Sequence, residues 1–506
     1  MTAESCDVVV VGGGNAGFCA AHAAREVGAR VVLIEKAPEA EAGGNSYYTA
    51  GAFRVAFEDL DELVPLLDPG TTDRLPDTVV PPYPPSAFAA DMQRLTNGQA
   101  DPELTEILVS RSGDTARWLA TKGIRWRLMY ERQAYLSGGK WQFFGGLALG
   151  TVDGGKGLMA DHTAEAQRSG IDVRYGAALT GLLERPGGGV GGVRYQQGDG
   201  ERELTAGAVV LAAGGFESDP ERRARWLGPD WSGALVRGTP HNTGEALDLA
   251  LQAGGARHGD WGSCHSVAWD AGAPAGGGER RLTNQLTRQS YPLGIVVNRD
   301  GRRFVDEGAD FRNYTYARYG REILRQPGGV AFQLFDAHTR PLLRTEEYDS
   351  APITSAVADT IGGLADQLEI DPDGLARTVA EYNASILDVP FDPAVKDGRA
   401  ARVTPPKSNW ALALETPPFY GYSVACGITF TFGGLHVDAD ARVLDDQGAP
   451  VSGLHAAGEM VGGLFSGNYP GGSGLTSGAV FGRLAGAAAA AAARAAAELN
   501  RPPGSP

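Results

Sequence analysis

The chain has 506 residues, 42% of them hydrophobic and 21% charged, the profile of an ordinary globular protein long enough for about two to four domains. Lys plus Arg number 45 against 61 Asp plus Glu, a net charge of −16, which argues against nucleic acid or an anionic membrane as the main partner. Four cysteines (Cys6, Cys19, Cys264, Cys426) form no CxxC pair, so no iron–sulfur site, c-type haem, disulfide framework or metal centre is expected, and the thiols fit a reducing, cytoplasmic setting.

Asp7 to Val11 is a continuous apolar run, as a buried parallel strand should be. Gly12-Gly13-Gly14-Asn15-Ala16-Gly17 follows, then an Ala-rich helix that Gly28 is placed to stop, and a second strand from Ala29 to Ile34. Residues 37–53 read as a loop, and 65–86, with seven prolines, as irregular chain. The pattern is helical from about 87 to 123 and from Gly154 to Arg168. A strand is predicted at 171–175, a hairpin at 190–195 and 202–204, a buried strand at 208–213 and a helix at 243–253. From about 260 to 430 the chain is richer in Arg, Tyr and Asp, with short strands broken by loops. After 431, glycine turns and small residues return. The Ala487–Ala493 run, flanked by Arg483 and Arg494, reads as a terminal helix too short and too weakly apolar for stable membrane insertion.

Gly12, Gly14 and Gly17 form GxGxxG between a strand and a helix. The first allows a tight turn, the second lets a pyrophosphate approach the backbone, and the third lets helix and strand pack closely. Glu35 lies 18 residues beyond Gly17 at the end of the next strand, where a carboxylate can bond ribose hydroxyls. This fingerprint points to a dinucleotide and serves either NAD or FAD. A chain that uses both ends to complete one domain suits FAD, which is long and stays bound.

The segments VVVGGGNAG, EKAPEAEAGGNSYYTAG, VVLAAGGFES, GTPHNTGEAL, VVNRDGRRFVDEGADFRNYTYARYG, TPPFYGY, GLHAAGEMVGG and NYPGGSGLTSGAVFGRLAG occur in that order over most of the chain. On them the chain resembles the fumarate reductase/succinate dehydrogenase flavoprotein family, and within it the FAD-dependent tricarballylate dehydrogenases, with 3-ketosteroid dehydrogenases as cousins. The resemblance implies an α/β fold: a discontinuous Rossmann-like FAD-binding domain over 1–259 and 431–506, with an inserted α+β capping domain over 260–430. It implies that Gly12, Gly14, Asn15, Ala16 and Gly17 hold the pyrophosphate, and Glu35 and Lys36 the adenosine end. Asn45, Ser46, Ala50 and Gly51 would line the flavin. Ala178, Ala213, Gly214 and Glu245 would lie beside the cofactor. Glu459 would bond the ribityl chain, and Ser473, Gly474 and Leu475 would offer N–H groups to the ring. Some members attach FAD to a histidine in an S-H-T motif. Here the segment reads Ser46-Tyr47-Tyr48-Thr49, so FAD is expected to be non-covalent.

The resemblance further implies desaturation of a CH–CH bond beside a carboxylate. Arg312 matches the family's proton-transferring arginine and His265 its substrate-binding histidine. Because arginine is normally always charged, Arg312 as a pure carboxylate clamp stays open. Two positions depart from the fumarate reductase pattern. Thr429 stands for a histidine before the TxGG segment, and Tyr469 for an arginine ten residues after Glu459. Half of a dicarboxylate clamp is thus missing, and Tyr469, in Tyr-Pro-Gly-Gly, resembles the tyrosine that ketosteroid dehydrogenases use toward a carbonyl. Tyr469 and Thr429 are therefore substrate-facing candidates, with core packing as the alternative. Tyr291 is a further candidate, and Tyr314 and Tyr316 follow. Arg280, Arg281, Arg288, Arg302, Arg303, Arg312 and Arg318 crowd one segment, a composition suited to a polycarboxylate. The expected partners are a small carboxylate substrate and an electron acceptor the sequence does not name: oxygen, a quinone or a separate protein. The rivals are a desaturase or reductase of the same fold for another metabolite or ketone, and a non-enzymatic flavin protein.

Overall fold

The computed structural model describes residues 4–350 and 353–499. β1 (Glu4–Val11) is followed by α1 (Asn15–Glu26) and β2 (Val31–Ile34), and β1 and β2 pair in parallel with Val8–Val11 opposite Val31–Ile34. The valines of β1 are almost wholly buried, which is why this strand reads as a continuous apolar run. The expected loop at 37–53 is more ordered than its composition suggested. It holds the short helix α2 (Gly44–Tyr47) and a two-residue strand at Ala52–Phe53.

The single helical stretch expected over 87–123 is two helices, α3 (Pro85–Leu95) and α4 (Pro102–Thr121). Asn97 and Gly98 break it with positive φ of 52° and 72°. Asp101 then caps α4, accepting from Glu103 N at 2.9 Å and Leu104 N at 3.1 Å with Pro102 in the first turn. α5 (Gly154–Ser169) leads to β3 (Asp172–Arg174), two residues shorter than expected.

β4 (Ala177–Glu184), β5 (Val190–Gln197) and β6 (Gly200–Leu211) complete one side of the main sheet. The expected hairpin arm at 202–204 and buried strand at 208–213 are one strand, β6, which ends at Leu211. It pairs antiparallel with β5 through Gly200–Thr205 on one edge and parallel with β1 through Leu204–Leu211 on the other.

A second, six-stranded sheet is built on a long central strand. Its members are β7 (Leu235–Val236), β8 (Cys264–Asp270), β9 (Ile295–Val297), β10 (Val330–Phe335), β11 (Ser355–Ala358) and β12 (Phe419–Thr431). β12 bonds β7, β8, β10 and β11. The sheet therefore begins before residue 260 and its central strand runs to Thr431. Between β7 and β8 lies α6 (Glu245–Gln252), and between β9 and β10 the one-turn helix α7 (Arg312–Thr315).

The chain then returns to the first sheet with β13 (Arg442–Leu444) and β14 (Pro450–Ala456), and β14 pairs with the end of β6. This gives eight strands in the order β4-β5-β6-β1-β2-β3, with β14 on β6 and β13 on β14. α8 (Ser473–Leu499) closes the molecule. By length and composition Ser473–Ala497 is apolar enough to cross a membrane, although 61% of its most apolar window is buried inside the protein. α8 approaches α1 so closely that a Cβ at Gly486 would lie 2.0 Å from the Ala20 carbonyl oxygen. The carboxyl ends of β1, β2, β6 and β14 face the start of both helices, the place where open α/β sheets put their ligands.

Candidate active site

One deep cavity runs from the β1–α1 turn to the second sheet. At its outer end Gly12 has φ +106°, and a Cβ there would lie 2.4 Å from the Ala212 carbonyl oxygen. Gly14 caps α1 in an extended conformation with no side-chain cap, and no acidic residue occupies the first turn. Bare N–H groups at a helix start attract an anion. Gly17 does not line the cavity. A Cβ there would fall 1.9 Å from the Gly12 carbonyl oxygen, so its part is to let α1 touch β1.

Glu35 is 7% exposed and holds the turn, accepting from Gly13 N at 2.6 Å and from Ala37 N at 2.8 Å. Each oxygen keeps a second lone pair for a ribose hydroxyl. Lys36 donates to Thr243 Oγ1 at 2.5 Å and Glu245 Oε1 at 3.0 Å at the exposed mouth. Ala178, Ala213 and Gly214 line the same wall.

Further in, Asn45 ties three distant segments. Its Nδ2 donates to Glu217 Oε1 at 2.6 Å and to the Thr429 carbonyl at 2.5 Å, and its Oδ1 accepts from Thr239 N at 2.9 Å. Ser46 accepts from Asn15 N at 3.0 Å, while Asn15 Nδ2 donates to the Leu475 carbonyl at 2.8 Å, joining the starts of α1 and α8. Asn15, Ala16, Asn45, Ser46, Ala50, Gly474 and Leu475 line the cavity. Gly51 and Ser473 do not. A Cβ at Gly51 would meet Thr151 Oγ1 at 2.1 Å, and the Ser473 hydroxyl donates to the Pro470 carbonyl at 2.7 Å. Both serve packing rather than the cavity wall.

Glu459 accepts from Thr431 N at 2.6 Å and Thr431 Oγ1 at 2.9 Å. It faces Glu217, which is fully buried and also accepts from Asn242 Nδ2 at 2.6 Å. Burial raises both carboxyls, Glu217 to about 7 and Glu459 well above the ordinary carboxylate range with Glu217's charge adding to it, so the pair holds a proton between them. Glu217 is folded with a value above its unfolded 4.5. Its stabilising contribution is therefore full below pH 4.5 and is lost as pH rises through about 7. Glu217→Gln should flatten the fall in melting temperature across that window. An unchanged fall would show that the pair does not share a proton.

At the inner end three arginines converge. Arg312, at the start of α7, is 6% exposed, and its Nη1 donates to Gln289 Oε1 at 3.3 Å. Its Nε and Nη2 are buried without a partner. Arg132 also donates to Gln289 Oε1, at 3.1 Å, and is ion-paired with Glu346 and Glu347. Arg237 donates to Thr429 Oγ1 at 3.0 Å and to Asn284 Oδ1. Tyr316 and Tyr469 join hydroxyl to hydroxyl, and burial keeps both phenols protonated by raising them above their ordinary values. Thr429, Phe430, Phe465 and Tyr469 form the facing wall.

Several expected site residues lie elsewhere. His265 does not line the cavity. It stacks on Phe430 at 5.1 Å and meets Tyr316 and Tyr469 edge-on at 5.0 Å. Burial lowers its basicity well below the ordinary value, and neither ring nitrogen has a partner, so it is a neutral ring backing the aromatic wall. Tyr291 is fully buried, bonded to Thr315 Oγ1 at 2.7 Å and stacked on Tyr319 at 3.9 Å. It is core. Tyr314 is bonded to Asp91 at 2.6 Å and to the Gly145 carbonyl at 2.8 Å, whereas Tyr316 does line the cavity.

The expected arginine cluster disperses. Arg288 pairs with Asp270 and Arg303 with Glu307. Arg280 lies over the Tyr47 ring at 3.5 Å, and Arg281, Arg302 and Arg318 are exposed. Of the seven only Arg312 lines the cavity. The other arginines of the cavity lining are Arg132 and Arg237, which the sequence did not single out, although Arg237 directly precedes the GTPHNTGEAL segment. Glu217 likewise closes the quoted GGFE without being noticed.

The residues present fit FAD. A helix start with no acidic residue in its first turn suits the pyrophosphate, Glu35 and Lys36 the adenosine end, and Asn45 with the start of α8 the ring. The family profile described as FAD binding domain matches residues 7–475. A cytochrome-type fumarate reductase of Shewanella frigidimarina is 30% identical over 484 residues, covering 94% of this chain and 75% of that one. A solved flavocytochrome c3 fumarate reductase in its open conformation has a TM-score of 0.72 at 27% identity, covering 97% of this chain and 79% of that one. A 3-ketosteroid Δ1-dehydrogenase of Sterolibacterium denitrificans shares the fold with a TM-score of 0.74 at 20% identity, covering 96% and 100%.

Proposed function

Because this chain belongs to the FAD-binding flavoproteins of fumarate reductase type and is an FAD-dependent oxidoreductase, we propose that it desaturates a CH–CH bond of a small polycarboxylate such as tricarballylate. The observation that carries this reading is Arg312: a buried guanidinium of the cavity lining, with two nitrogens that have no partner and no resident carboxylate. A buried charge without a counter-ion is costly, and a substrate carboxylate supplies one.

FAD, held non-covalently, supplies the hydride acceptor. Having first passed one of its own protons to solvent, Arg312 takes the proton from the carbon next to the one that loses hydride, and the electron pair of that broken C–H bond forms the carbon–carbon double bond. In the reductive direction the same residue returns it. Arg132, Arg237 and Arg312 line this one cavity. Gln289 orients Arg312 and Arg132 together through one oxygen. The start of α1 would hold the pyrophosphate, and Glu459 would bond the ribityl chain.

A second reading, desaturation beside a ketone, is favoured by the paired hydroxyls of Tyr316 and Tyr469 on an aromatic wall. Steady-state rates with a redox dye as acceptor separate the two. The first reading expects kcat/KM for tricarballylate at least about tenfold above succinate and far above a 3-ketosteroid. Turnover of the ketosteroid but of no carboxylate would overturn it in favour of the second.

A further inference from the structure

Buried arginines in this protein are neutralised or saturated almost everywhere. Arg288 and Arg303 face carboxylates, Arg132 faces two, Arg54 donates to the Gly471 and Gly145 carbonyls, and Arg223 donates to four carbonyls. Among the described residues, Arg237 and Arg312 are the two buried arginines with neither a carboxylate nor a backbone carbonyl as a side-chain partner, and both line the cavity. Arg312 is used by the proposed chemistry. Arg237 is not.

The backbone fixes Arg237 firmly. It follows β7, and its N–H donates to the Ile428 carbonyl at 2.8 Å, so it runs beside the end of β12. Its guanidinium donates to Thr429 Oγ1 and Asn284 Oδ1, two neutral acceptors that orient it without cancelling its charge. Nε is buried and bare. Burial pushes the group below its ordinary value, with Tyr316 and Tyr469 opposing and Arg132 adding to the push. Thr429 and Tyr469, the two positions where the fumarate reductase pattern has basic side chains, carry no charge here. Thr429 is instead the residue that holds Arg237, so positive charge reaches that wall from a different strand.

We propose that Arg237, braced by Thr429 and Asn284, is a second anion-holding group of the cavity and takes a substrate carboxylate that Arg312 does not hold. Its choice of ligand rests on the polycarboxylate reading. Its role as an anion holder does not. A guanidinium presenting Nε and a neighbouring Nη matches the two oxygens of a carboxylate, and two such groups set the number of carboxylates the site prefers.

The test is calorimetric titration of tricarballylate into the holoenzyme, for the unaltered protein, Arg237→Gln and Arg237→Lys. Arg237→Gln should weaken binding roughly a hundredfold, as truncation of one partner of a buried charge pair does, and Arg237→Lys should recover part of it. The melting temperature of the ligand-free holoenzyme should stay level or rise in Arg237→Gln, because a buried unpaired charge has been removed. A merely structural arginine would lower it. Tricarballylate binding within about threefold of the unaltered protein overturns the proposal, and so does a lowered melting temperature with FAD loss. If the unaltered protein binds no tricarballylate, sulfate is titrated as an inorganic dianion. Sulfate binding lost in Arg237→Gln keeps the anion role while the polycarboxylate reading falls. Sulfate binding that is equal in both, or absent from both, overturns the role itself.

Discussion

Arg312→Gln should lower the rate of flavin reduction by about 10³–10⁴, with FAD retained at one per chain. The side chain is hydrogen-bonded to Gln289 and to none of the residues assigned to the nucleotide cradle. Glutamine keeps a hydrogen-bonding amide but has neither a proton to exchange at neutral pH nor a charge for a carboxylate. Arg312→Lys should recover little, since a point charge on a flexible stem does not reproduce the guanidinium fork. Rapid mixing of substrate with oxidised enzyme under anaerobic conditions reads the step directly. A rate within about tenfold of the unaltered protein would leave Arg312 as a clamp and send the proton to another group.

Gly12→Ala should cost the protein its FAD and several kcal/mol of stability, on the order of 4 kcal/mol. The position needs φ +106°, and the new methyl would sit 2.4 Å from the Ala212 oxygen and 2.8 Å from its carbon. Those atoms are backbone just beyond β6, so the β1–α1 turn itself must move. Gly28→Ala is the matched control. It has φ +89° but nothing within 4 Å of the added Cβ, so it should cost only about 1–2 kcal/mol, the left-handed backbone penalty alone. Flavin-to-protein ratio and melting temperature of the two variants measure the contrast. Equal losses would mean that the close approach at Gly12 does not matter.

The parts of the fold legible in the sequence are those whose signal is local. β1, the glycine turn, α1, β2 and Glu35 follow one another within 32 residues, and each has its own pattern: an apolar run, a fingerprint, a small-residue helix, an acid at a strand end. The break between α3 and α4 rests on two positive-φ residues that a helical average conceals. β6 reads as two strands because its first half is an edge of the β5 hairpin and its second half is flanked by β1 and β14, so the halves differ in polarity.

The site was harder to read for a related reason. Asn45, Glu217, Thr239 and Thr429 meet from four separate segments, and Arg132 and Arg237 carry no motif of their own. Neighbours in sequence also point apart: the seven arginines of the expected cluster go to the Tyr47 ring, to Asp270, to Glu307, to solvent and, once, to the cavity. Resemblance placed His265 and Tyr291 at a substrate. Here an aromatic layer of Phe430, Tyr316 and Tyr469 stands in front of His265, and Tyr319 packs Tyr291 into the core.

The central claim is that bound FAD is reduced by a small polycarboxylate through loss of hydrogen from adjacent carbons. Anaerobic titration of the oxidised holoenzyme with tricarballylate tests it most directly. The account predicts bleaching of the flavin's visible absorbance and one equivalent of the unsaturated tricarboxylate per flavin reduced. A flavin that stays oxidised under tricarballylate, while a ketone bleaches it, would contradict the claim.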